Sequence, residues 1–554
     1  MITAKITVEH DALAVRFPFN PVYVQRIKAL QIGEWSDERS AWVLPPHLYP
    51  LVQRIFPYAQ TDEQIDNLLK HHEQLRIVSR KPDADLQVPG LGGALMPFQR
   101  VGVQFIEATN GRALVGDQPG LGKTVQALAY LQLHPELRPA LIVCPASLKI
   151  NWQRHVEQWV TTAGRSTILN GTNTDTAVES ADIYIINYDI VHHWRPLLVG
   201  AGFRCLICDE AHYLKTQTSQ RTKSVRSLSA NADRVLLLTG TPLLNRPAEL
   251  WPLLNILSPS AWGNWWGFAH RYCNARKKEI RIKGGKTRTV WDFSGTSNAE
   301  ELHRAIQPYM IRRLKDDVLT DLPPKRRVVV PMALPAPIRT KYDALLAATR
   351  DAIRAAVSDG QPIDGRILAK IEECKQLAVQ GKLPQAIEWI RDFIESEKLI
   401  VFATHKFVVA DLLAAFPDAV SITGDTPQAE RMAAVDAFQN NNKVRLFVGN
   451  IQAAGVGITL TAASNVAFLE QDWTPATHEQ AEDRAHRITQ TESVTAWYLL
   501  AADSIDEDIF ATLERKRKVT QAIVDGSADS TLTFDMEVLD EVAQLIIDFE
   551  AGAA

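Results

Sequence analysis

Short, continuous apolar runs alternate with amphipathic stretches along most of this chain, in two successive sets. Uninterrupted apolar runs are typical of strands covered on both faces of a parallel sheet, and the stretches between them are typical of the covering helices. The pattern therefore predicts an α/β protein with two parallel-sheet lobes. The first set comprises 113–115, 141–144, 183–186, 205–208 and 235–238, and the second comprises 399–402, 419–422, 445–448, 466–469 and 494–499.

The first eighty residues follow a different pattern. A strand-like run at 14–17, an amphipathic stretch that opens at Pro21, and a polar turn between Trp35 and Trp42 predict a small α+β module, 1–80, that contains a hairpin. Residues 81–94 contain two prolines and three glycines, which is typical of a linker.

A chain of 554 residues is long enough for several domains. The two lobes are expected at 95–257 and 397–510, with basic and helical insertions between them at 258–396. Residues 511–554 are predicted to form a brace helix, basic at its start, followed by an acidic amphipathic tail.

Composition narrows the classes of protein only slightly. Sixty basic and sixty-four acidic residues give a net charge of −4, so any basic surface has to be local. No apolar run approaches the ~18 residues that span a bilayer, and we expect neither a signal peptide nor a membrane span. The five cysteines are scattered, and Cys205 and Cys208 are expected in the core rather than in a zinc site, which favours a reducing cytoplasm.

A glycine-rich turn at 117–124 joins the first apolar run to a helical pattern. Gly120 and Gly122 allow successive backbone N–H groups to curl around a phosphate. Lys123 can reach the phosphate oxygens, and the Thr124 hydroxyl is placed to hold Mg²⁺. Asp117 stands where the generic phosphate loop has its first glycine, so a glycine-rich turn with a surface lysine is the alternative reading.

Two acids, Asp209 and Glu210, follow directly on the apolar run 205–208. A carboxylate at the end of a buried strand can hold Mg²⁺ through water, and a second one can orient or deprotonate an attacking water. Ligands gather at the carboxyl ends of the strands in open α/β sheets, so we expect these acids to meet the glycine-rich turn. Together the two segments predict nucleotide chemistry.

The second set of strands carries basic residues and no phosphate loop. Gln480, Arg484 and Arg487 recur at spacings of four and three, so on a helix they would share one face. Arginines across a cleft between lobes could neutralise charge on a transferring γ-phosphate, and the same lobe supplies Gly457 at a strand end. A solvated basic helix face is the alternative reading.

In this order the motifs resemble those of the Swi/Snf-type branch of the superfamily-two helicase-like ATPases. The similarity extends over roughly residues 90 to 525, and the segments 311–318, 322–325 and 480–490 are especially typical of this branch. Two departures, Gln118-Pro119 and Thr489, lie where no phosphate contact is expected. The other matching motifs are 95–99, 120–124, 145–148 with 151–152, 209–212 and 238–242.

The resemblance implies two RecA-like lobes that bind ATP and Mg²⁺ between them and act on double-stranded DNA. The implied catalytic residues are Lys123, Asp209, Glu210, Arg484 and Arg487, with Mg²⁺ at Thr124 and Asp209. The implied nucleotide contacts are Gln99, which would read adenine, and Gly120, Leu121, Gly122, Lys123, Thr124, Gly457 and Gln480. Coupling of hydrolysis to movement is implied for His212, Thr239, Gly240 and Thr241, and DNA contact for Ser147, Lys149, Thr404, His405, Lys406 and Thr423.

Three further segments have two readings each. The module 1–80 resembles the HARP-like module found beside motors of the annealing-helicase branch, and a small capping domain is the alternative. The basic, tryptophan-rich segment 262–291 is either an additional DNA contact or a solvated loop with a few core tryptophans. The acidic tail either covers a basic groove or docks on the second lobe.

The function implied by the resemblance is that of an ATP-dependent double-stranded DNA translocase that reverses forks, anneals strands or displaces bound proteins. An ATPase subunit that switches a repair or defence complex without extensive translocation is one alternative, and a strand-separating helicase is another. We expect double-stranded or forked DNA as the partner, no membrane, and a cytoplasmic location at the nucleoid if the source is prokaryotic. A dedicated protein partner is left open.

Overall fold

The computed structural model describes residues 3–174, 180–240, 242, 246–282, 286–319, 321–358, 365–454, 458–488 and 490–525. The chain forms two compact units. The first comprises Met1–Arg276, Asp292–Val318 and, at the end of the described chain, residues 521–525; the second comprises Lys277–Trp291 and Leu319–Thr520. Thr241, Gly457 and the predicted acidic tail lie outside the described residues.

The N-terminal module is a five-stranded sheet with three helices among the described residues. The predicted hairpin is confirmed, because β3 and β4 pair antiparallel with Trp35 opposite Trp42 and their ring centroids 5.9 Å apart. The elements are β1 (Lys5–Glu9), β2 (Ala12–Arg16), α1 (Pro21–Lys28), β3 (Glu34–Ser36), β4 (Ala41–Leu44), α2 (Tyr49–Ile55), β5 (Gln60–Thr61) and α3 (Glu63–Ser79).

The first unit also contains a parallel sheet in which every strand predicted from an apolar run is present. Its described elements are α4 (Pro97–Ala108), β6 (Arg112–Val115), α5 (Lys123–Leu133), β7 (Ala140–Cys144), α6 (Lys149–Trp159), β8 (Ser166–Ile168), β9 (Ile183–Asn187), α7 (Val191–Gly200), β10 (Cys205–Asp209), α8 (Gln220–Ser229), β11 (Arg234–Leu238) and α9 (Trp251–Leu257).

The register of this sheet brings three strand ends together. Leu238 at the end of β11 lies between Asp209 of β10 and Val115 of β6. The segments that follow these strands therefore emerge side by side at the carboxyl edge, as expected of a parallel sheet.

The segment between the lobes contributes to both sheets. It contains α10 (Trp265–Tyr272), β12 (Arg276–Ile282), β13 (Lys286–Asp292), α11 (Ala299–Ile306), β14 (Met310–Ile311), α12 (Lys315–Val318) and β15 (Lys325–Met332). β14 pairs with β6 in the first sheet, and β15 pairs with β20 (Val494–Ala501) in the second. The first sheet thus has the strand order β14-β6-β11-β10-β7-β9-β8 over the described chain.

Polar contacts attach the N-terminal module to helices α10 and α11. The Tyr272 hydroxyl lies 2.8 Å from Nε2 of His47 and donates to Oε1 of Glu301 at 2.7 Å. The Arg271 guanidinium donates to both oxygens of Glu301 and to the Leu30 carbonyl. These contacts hold the pKa of Glu301 well below its ordinary value, so the attachment is built on a carboxylate.

The second unit is a parallel sheet with the described strand order β15-β20-β19-β16-β18-β17. Alternate residues of its central strand enter different cores: Ile400 and Phe402 lie in one, and Leu399 and Val401 lie in the other. The remaining elements are α13 (Ala336–Ser358), α14 (Gly365–Ile394), β16 (Leu399–Ala403), α15 (Lys406–Ala415), β17 (Val420–Ile422), α16 (Gln428–Asn440), β18 (Leu446–Asn450), α17 (Ile451–Ala454), β19 (Asn465–Phe468), α18 (Pro475–Glu482) and α19 (Ile505–Asp525).

The α/β fold class with two parallel-sheet lobes is therefore confirmed, as is a helix at the predicted brace position, α19. None of the helices in the described ranges has the length and apolar character needed to cross a membrane.

Candidate active site

The glycine-rich turn has the backbone of a phosphate-binding loop. Gly120 and Gly122 have φ angles of 93° and 76°, in the left-handed region that favours glycine. A Cβ at position 122 would approach Nε2 of Gln99 to 2.4 Å, so a side chain there would be strained and crowded. Helix α5 begins at Lys123, and its first N–H groups have no partner within the helix and can bind an anion.

Lys123 is folded back over this turn. Its Nζ donates to the Asp117 carbonyl at 2.7 Å. Burial lowers the pKa of the ammonium, while the nearby carboxylates of Glu210, Asp117 and Asp209 oppose that shift. The predicted lysine and the predicted acids therefore share one electrostatic environment.

Asp209 is held by three donors around its carboxylate and carbonyl. Trp152 Nε1 donates to Oδ2 at 2.8 Å, the Glu210 amide donates to Oδ1 at 2.9 Å, and the Tyr188 hydroxyl donates to the backbone carbonyl at 2.7 Å. Burial, together with the charge of Glu210, raises the pKa of Asp209 to about 6. Neither Trp152 nor Tyr188 was predicted as a site residue, although Trp152 belongs to the matching motif at 151–152.

Glu210 adopts an unusual backbone conformation for a residue with a side chain. Its φ is 50°, in the left-handed region. Non-glycine residues are held in such conformations mainly where the surrounding structure imposes them, often at functional sites. The conformation sets the direction of the second acid, immediately after Asp209.

One predicted coupling residue, His212, contacts both an acid and a second coupling residue. Nδ1 of His212 lies 3.2 Å from Oγ1 of Thr239 and 3.2 Å from Oε2 of Glu210. Gly240 packs against the glycine-rich turn, because a Cβ at this position would approach Cγ of Pro119 to 2.6 Å. The contacts form a continuous path from Glu210 to the segment after β11, which continues into Thr241.

Asp117 has a structural partner that local sequence patterns do not reveal. Its buried carboxylate accepts from the backbone amide of Arg313 at 3.1 Å and from Nε of the same residue at 2.9 Å. Nε2 of Gln126 donates to Oδ2 at 2.9 Å, and the second Arg313 arm also reaches that oxygen. Arg312 donates to the carbonyls of Gly116 and Gly240. The segment 311–318 thus fixes the start of the phosphate loop.

Gln99 lies against the phosphate loop rather than apart from it. Its Oε1 accepts from the Met96 amide at 3.0 Å, and its Nε2 donates to the Leu121 carbonyl at 3.3 Å. The side chain therefore joins the start of α4 to the turn. Its role in reading adenine stays a prediction, as does contact of Leu121 with nucleotide.

The arginines of the second unit do not share a helix face, and this part of the sequence prediction is wrong. Helix α18 ends at Glu482, and the chain continues in tight turns. Nε of Arg484 donates to the Gln480 carbonyl at 2.9 Å, and Nη1 of Arg487 donates to Oγ1 of Thr459 at 2.6 Å. Arg484 is only 3% exposed, so a solvated basic face is also excluded for it.

A buried carboxylate anchors these turns. Glu482 is fully buried and lies 2.8 Å from Nζ of Lys325, and both Nε and Nη2 of Arg327 donate to it at 2.8 Å. The Tyr498 hydroxyl adds a further donor at 2.9 Å. These cations hold the pKa of Glu482 well below its ordinary value. Lys325 also lies 3.2 Å from Asp483, so the 322–325 motif binds the segment that carries the arginines.

The predicted DNA contacts have different surroundings. Ser147 lies in a short turn before α6. Lys149, the first residue of α6, is buried and donates to the Leu169 carbonyl at 3.2 Å and to Asn170. The main chain of Thr404 donates to Glu470 at 2.7 Å, and Lys406 is exposed beside Asp425. Contact with DNA stays a prediction for each of them.

His405 and Thr423 also lie at strand ends of the second sheet. His405 is placed between two carboxylates: Nε2 lies 2.9 Å from Glu372, and Nδ1 contacts Glu470. These acids raise the pKa of His405 to about 9. The Thr423 hydroxyl lies 3.1 Å from that of Thr426. A DNA contact stays a prediction for both residues.

The residues of the first unit fit a nucleoside triphosphate with a divalent cation. The left-handed glycines and the start of α5 offer backbone N–H groups, and Lys123 offers a partly buried positive charge. Asp209 and Thr124 offer the oxygen ligands that Mg²⁺ prefers. Within the described chain no group of three or more His, Cys, Asp or Glu could hold a metal ion.

Comparison with known proteins identifies similar chains. A family model described as "SNF2-related domain" matches residues 98–382, and one described as "Helicase conserved C-terminal domain" matches residues 383–489. The "DNA annealing helicase and endonuclease ZRANB3" of Mus musculus is 36% identical over 443 residues, which are 78% of this chain and 41% of that protein. The chain therefore spans less than half the length of this relative.

A second group of relatives shares the name "SWI/SNF-related matrix-associated actin-dependent regulator of chromatin subfamily A-like protein 1". The Xenopus tropicalis protein is 35% identical over 454 residues, 79% of this chain and 46% of that protein. The Caenorhabditis elegans homolog is 31% identical over 547 residues, 95% of this chain and 76% of that protein. Among solved structures, the "Sulfolobus solfataricus SWI2/SNF2 ATPase core in complex with dsDNA" is 25% identical with a TM-score of 0.39, covering 80% of this chain and 96% of that one.

Proposed function

The chain belongs to the SNF2-related family, and from that premise we propose that it is an ATP-dependent translocase on double-stranded DNA. The resemblance found from the motifs is thereby confirmed at the level of the family. We propose that hydrolysis drives fork reversal, strand annealing or displacement of bound proteins, since relatives are named annealing helicases. The observation that carries the proposal is that Lys123, Asp209 and Glu210 lie close together at the carboxyl edge of one sheet, where β6 and β10 end on either side of β11.

We assign the first unit's residues to ATP hydrolysis. Lys123 and the backbone of Gly120 and Gly122 hold the β- and γ-phosphates, and Asp209 and Thr124 hold Mg²⁺. Mg²⁺, when bound, neutralises charge on the phosphate oxygens. Glu210 orients the attacking water and accepts its proton. The contact of His212 with Glu210 and Thr239 supports a path by which hydrolysis changes the segment after β11.

We assign the second unit's arginines to the charge that develops on the transferring γ-phosphate. Arg484 and Arg487 are held by the Gln480 carbonyl and the Thr459 hydroxyl, which supports side chains that are positioned before nucleotide binds. Gly457 and Gln480 are proposed nucleotide contacts in the same unit. Closure of the two lobes around ATP and reopening after hydrolysis would move one DNA-binding lobe past the other.

The proposed DNA contacts are made mainly to phosphates. Such contacts are independent of base sequence and sensitive to salt. Lys406 is the proposed contact with the most exposed side chain, and its partner Asp425 is exposed too, so DNA phosphate can compete for it. Ser147, Lys149, Thr404, His405 and Thr423 complete the proposed set.

The decisive experiment measures ATPase rates with no DNA, single-stranded DNA, duplex DNA and forked DNA. Duplex and forked DNA should stimulate hydrolysis and single strands should not, because the proposed motor tracks along a duplex. Lys123→Ala should abolish turnover on every substrate, and Lys223→Ala, at an exposed lysine in the same unit, is the matched control. Stimulation by single strands alone would overturn the assigned substrate, and hydrolysis by Lys123→Ala would overturn the assigned site.

Triplex displacement and fork regression separate translocation from the two alternatives. A translocase on duplex DNA removes a third strand from an intact duplex and regresses a model fork. A subunit that only switches an assembly, or a helicase that separates strands, fails the triplex assay while hydrolysing ATP. Full ATPase activity without triplex displacement would therefore contradict the proposal.

The cytoplasm is the proposed compartment, at the nucleoid if the source is prokaryotic. All five cysteines are buried free thiols, and burial raises the pKa of Cys205 to about 12. Such thiols stay protonated at neutral pH and are poor metal ligands. Reduced cysteines and a DNA substrate both support this location.

A further inference from the structure

A basic two-stranded ribbon interrupts the first unit in sequence. It consists of β12 and β13, which pair only with each other in the described chain. A ribbon of two strands is marginally stable by itself, and its exposed edges are available for other contacts. From residue 276 to residue 291 the sequence has seven basic residues and one acid, namely Arg276, Lys277, Lys278, Arg281, Lys283, Lys286, Arg288 and Glu279.

The base of the ribbon is anchored in the first unit. Nε of Arg276 lies 3.4 Å from Asp292, whose Oδ1 also accepts from the amide and hydroxyl of Ser294. The next residue in the chain, Phe293, packs edge-on against Trp265 and Trp266 at centroid distances of 5.3 and 5.6 Å. Trp265 and Trp266 thus form an apolar anchor. This agrees with the core tryptophans expected for this segment if it is a solvated loop.

The strands beyond this base present positive charge to solvent. Lys277, Lys278 and Arg288 are exposed, and Nζ of Lys277 lies 5.6 Å from the ring centroid of Trp291 on the opposite strand. The Arg276–Asp292 and Lys277–Trp291 contacts place position 276 opposite 292. Because side chains alternate along a strand, Lys278 and Arg288 then fall on one face of the ribbon.

Charge of this kind is not needed to fold the ribbon. Among the residues that the structure describes, none forms an ion pair with Lys278 or Arg288. Like charges on the same face repel, so their concentration lowers the stability of an isolated ribbon. Closely spaced, solvent-exposed cations on a pair of strands are instead complementary to the regular negative charge of a nucleic acid backbone.

We propose that the ribbon is a second DNA-binding element, separate from the motor motifs, in which Lys277, Lys278 and Arg288 contact phosphates of duplex DNA. Trp291 positions Lys277 by holding its ammonium over the indole ring. The inference rests on the proposed function, because it takes DNA as the substrate. The ribbon increases the affinity for duplex without reading base sequence.

The test measures duplex affinity without nucleotide over a range of salt concentrations, using a fluorescently labelled duplex and the full chain. Each phosphate contact adds about 0.9 to the slope of log affinity against log salt. The triple variant Lys277→Ala, Lys278→Ala and Arg288→Ala should therefore reduce the slope by about 2 to 3. The control triple variant Lys223→Ala, Lys341→Ala and Lys443→Ala removes exposed lysines elsewhere and should change it less.

A measurement on the unmodified protein keeps the test independent of variant folding. Duplex DNA should protect Lys277 and Lys278 from amine acetylation, read by mass spectrometry, and should leave Lys223 reactive. Equal slopes for the two triple variants, or unprotected ribbon lysines at saturating duplex, would overturn the proposal. Failure of the proposed function would give a different result. Duplex DNA would then not stimulate the ATPase rate of the wild-type protein, whether or not the ribbon binds DNA.

Discussion

Each unit contains a fully buried carboxylate bound to cations from the segment that leads from the first sheet to the second. In the first unit Asp117 binds Arg313, and in the second Glu482 binds Lys325 and Arg327. The two acids precede the proposed catalytic side chains: Lys123 follows Asp117, and Arg484 follows Glu482. In both units an ion pair with a buried carboxylate therefore fixes a segment that carries a proposed catalytic residue.

The two anchors differ in what they hold. Asp117 fixes a loop with left-handed glycines, in which the functional groups are mainly backbone N–H groups and one lysine. Glu482 fixes a chain that has left its helix, in which the functional groups are long arginine side chains held by neighbouring oxygen atoms. The first anchor shapes a backbone and the second orients side chains. Backbone donors require a loop in the left-handed conformation that glycine adopts readily. Long guanidinium side chains instead require hydrogen bonds to neighbouring oxygen atoms that fix their position.

The largest effect is expected from Glu482→Gln. The substitution leaves Lys325 and Arg327 facing a neutral amide, and breaking a buried pair of this kind costs roughly 4 to 5 kcal/mol. Hydrogen exchange should increase in β15, β20 and α18 and should change little in the first sheet. Glu492→Gln, at an exposed acid of the same unit, is the control. Equal exchange in both variants would show that the anchor does not stabilise the second unit.

Asp117→Asn should have the next largest effect. The amide keeps one oxygen acceptor but removes the charge that faces Arg313, so we expect a loss of about 3 kcal/mol in the first unit. Faster hydrogen exchange at the start of α5 and weaker ATP binding are the measurements, with the exposed Asp85→Asn as control. The double variant Asp117→Asn with Arg313→Met should recover part of the loss; strict additivity would argue against a coupled pair.

Trp152→Phe tests whether Trp152 positions the carboxylate of Asp209, the proposed Mg²⁺ ligand of the first unit. The variant keeps an aromatic ring but removes the hydrogen bond to Asp209, and a hydrogen bond to a charged group contributes roughly 1.5 to 3 kcal/mol. We expect the duplex-stimulated ATPase rate to fall about 10-fold or more. The Mg²⁺ concentration for half-maximal activity should also rise, which general destabilisation would not cause.

Trp159→Phe, at the end of the same helix, is the matched control for Trp152. Its Mg²⁺ requirement should equal that of the wild type. An unchanged Mg²⁺ requirement in Trp152→Phe would show that Trp152 does not position Asp209 and contributes only to packing.

The smallest effect concerns His405, which lies between two acids of the second unit. Glu372 and Glu470 raise its pKa to about 9, so its charged form stabilises the folded second unit. That contribution is fully present below pH 6.5 and is lost as the pH rises through 9. After allowance for solvent screening it is on the order of 1 kcal/mol. The difference in unfolding free energy between wild type and His405→Gln should shrink across this window, and a constant difference would contradict the assignment.

Local patterns in the sequence were sufficient for most of the fold. Five strands of each parallel sheet were predictable because strands covered on both faces must be apolar at successive positions, as the separate cores on either side of β16 illustrate. Strands β8, β14 and β15 were not predicted. The meeting of Asp209 with the phosphate loop was predictable because parallel strands place their carboxyl ends at one edge. The left-handed turn at Gly120 and Gly122 followed from glycine itself.

Contacts between distant segments were not predictable in this way. Arg313 pairs with Asp117 across 196 positions, and Arg327 pairs with Glu482 across 155. Nothing in the periodicity of either segment specifies such a partner. The spacing of Gln480, Arg484 and Arg487 did not reveal that α18 ends at Glu482, a fully buried residue whose ion pairs with Lys325 and Arg327 involve a segment more than 150 positions away.

The sequence by itself determined most of the strands, the glycine-rich turn and the pair of acids at the end of β10, since each depends on residue types within a few positions of one another. The tertiary structure alone decided that Asp117 is a buried anchor, that Lys149 is enclosed within the first unit, and that Arg484 is held in a turn. The physical reason is that a buried charge must find a partner wherever the fold brings one within reach.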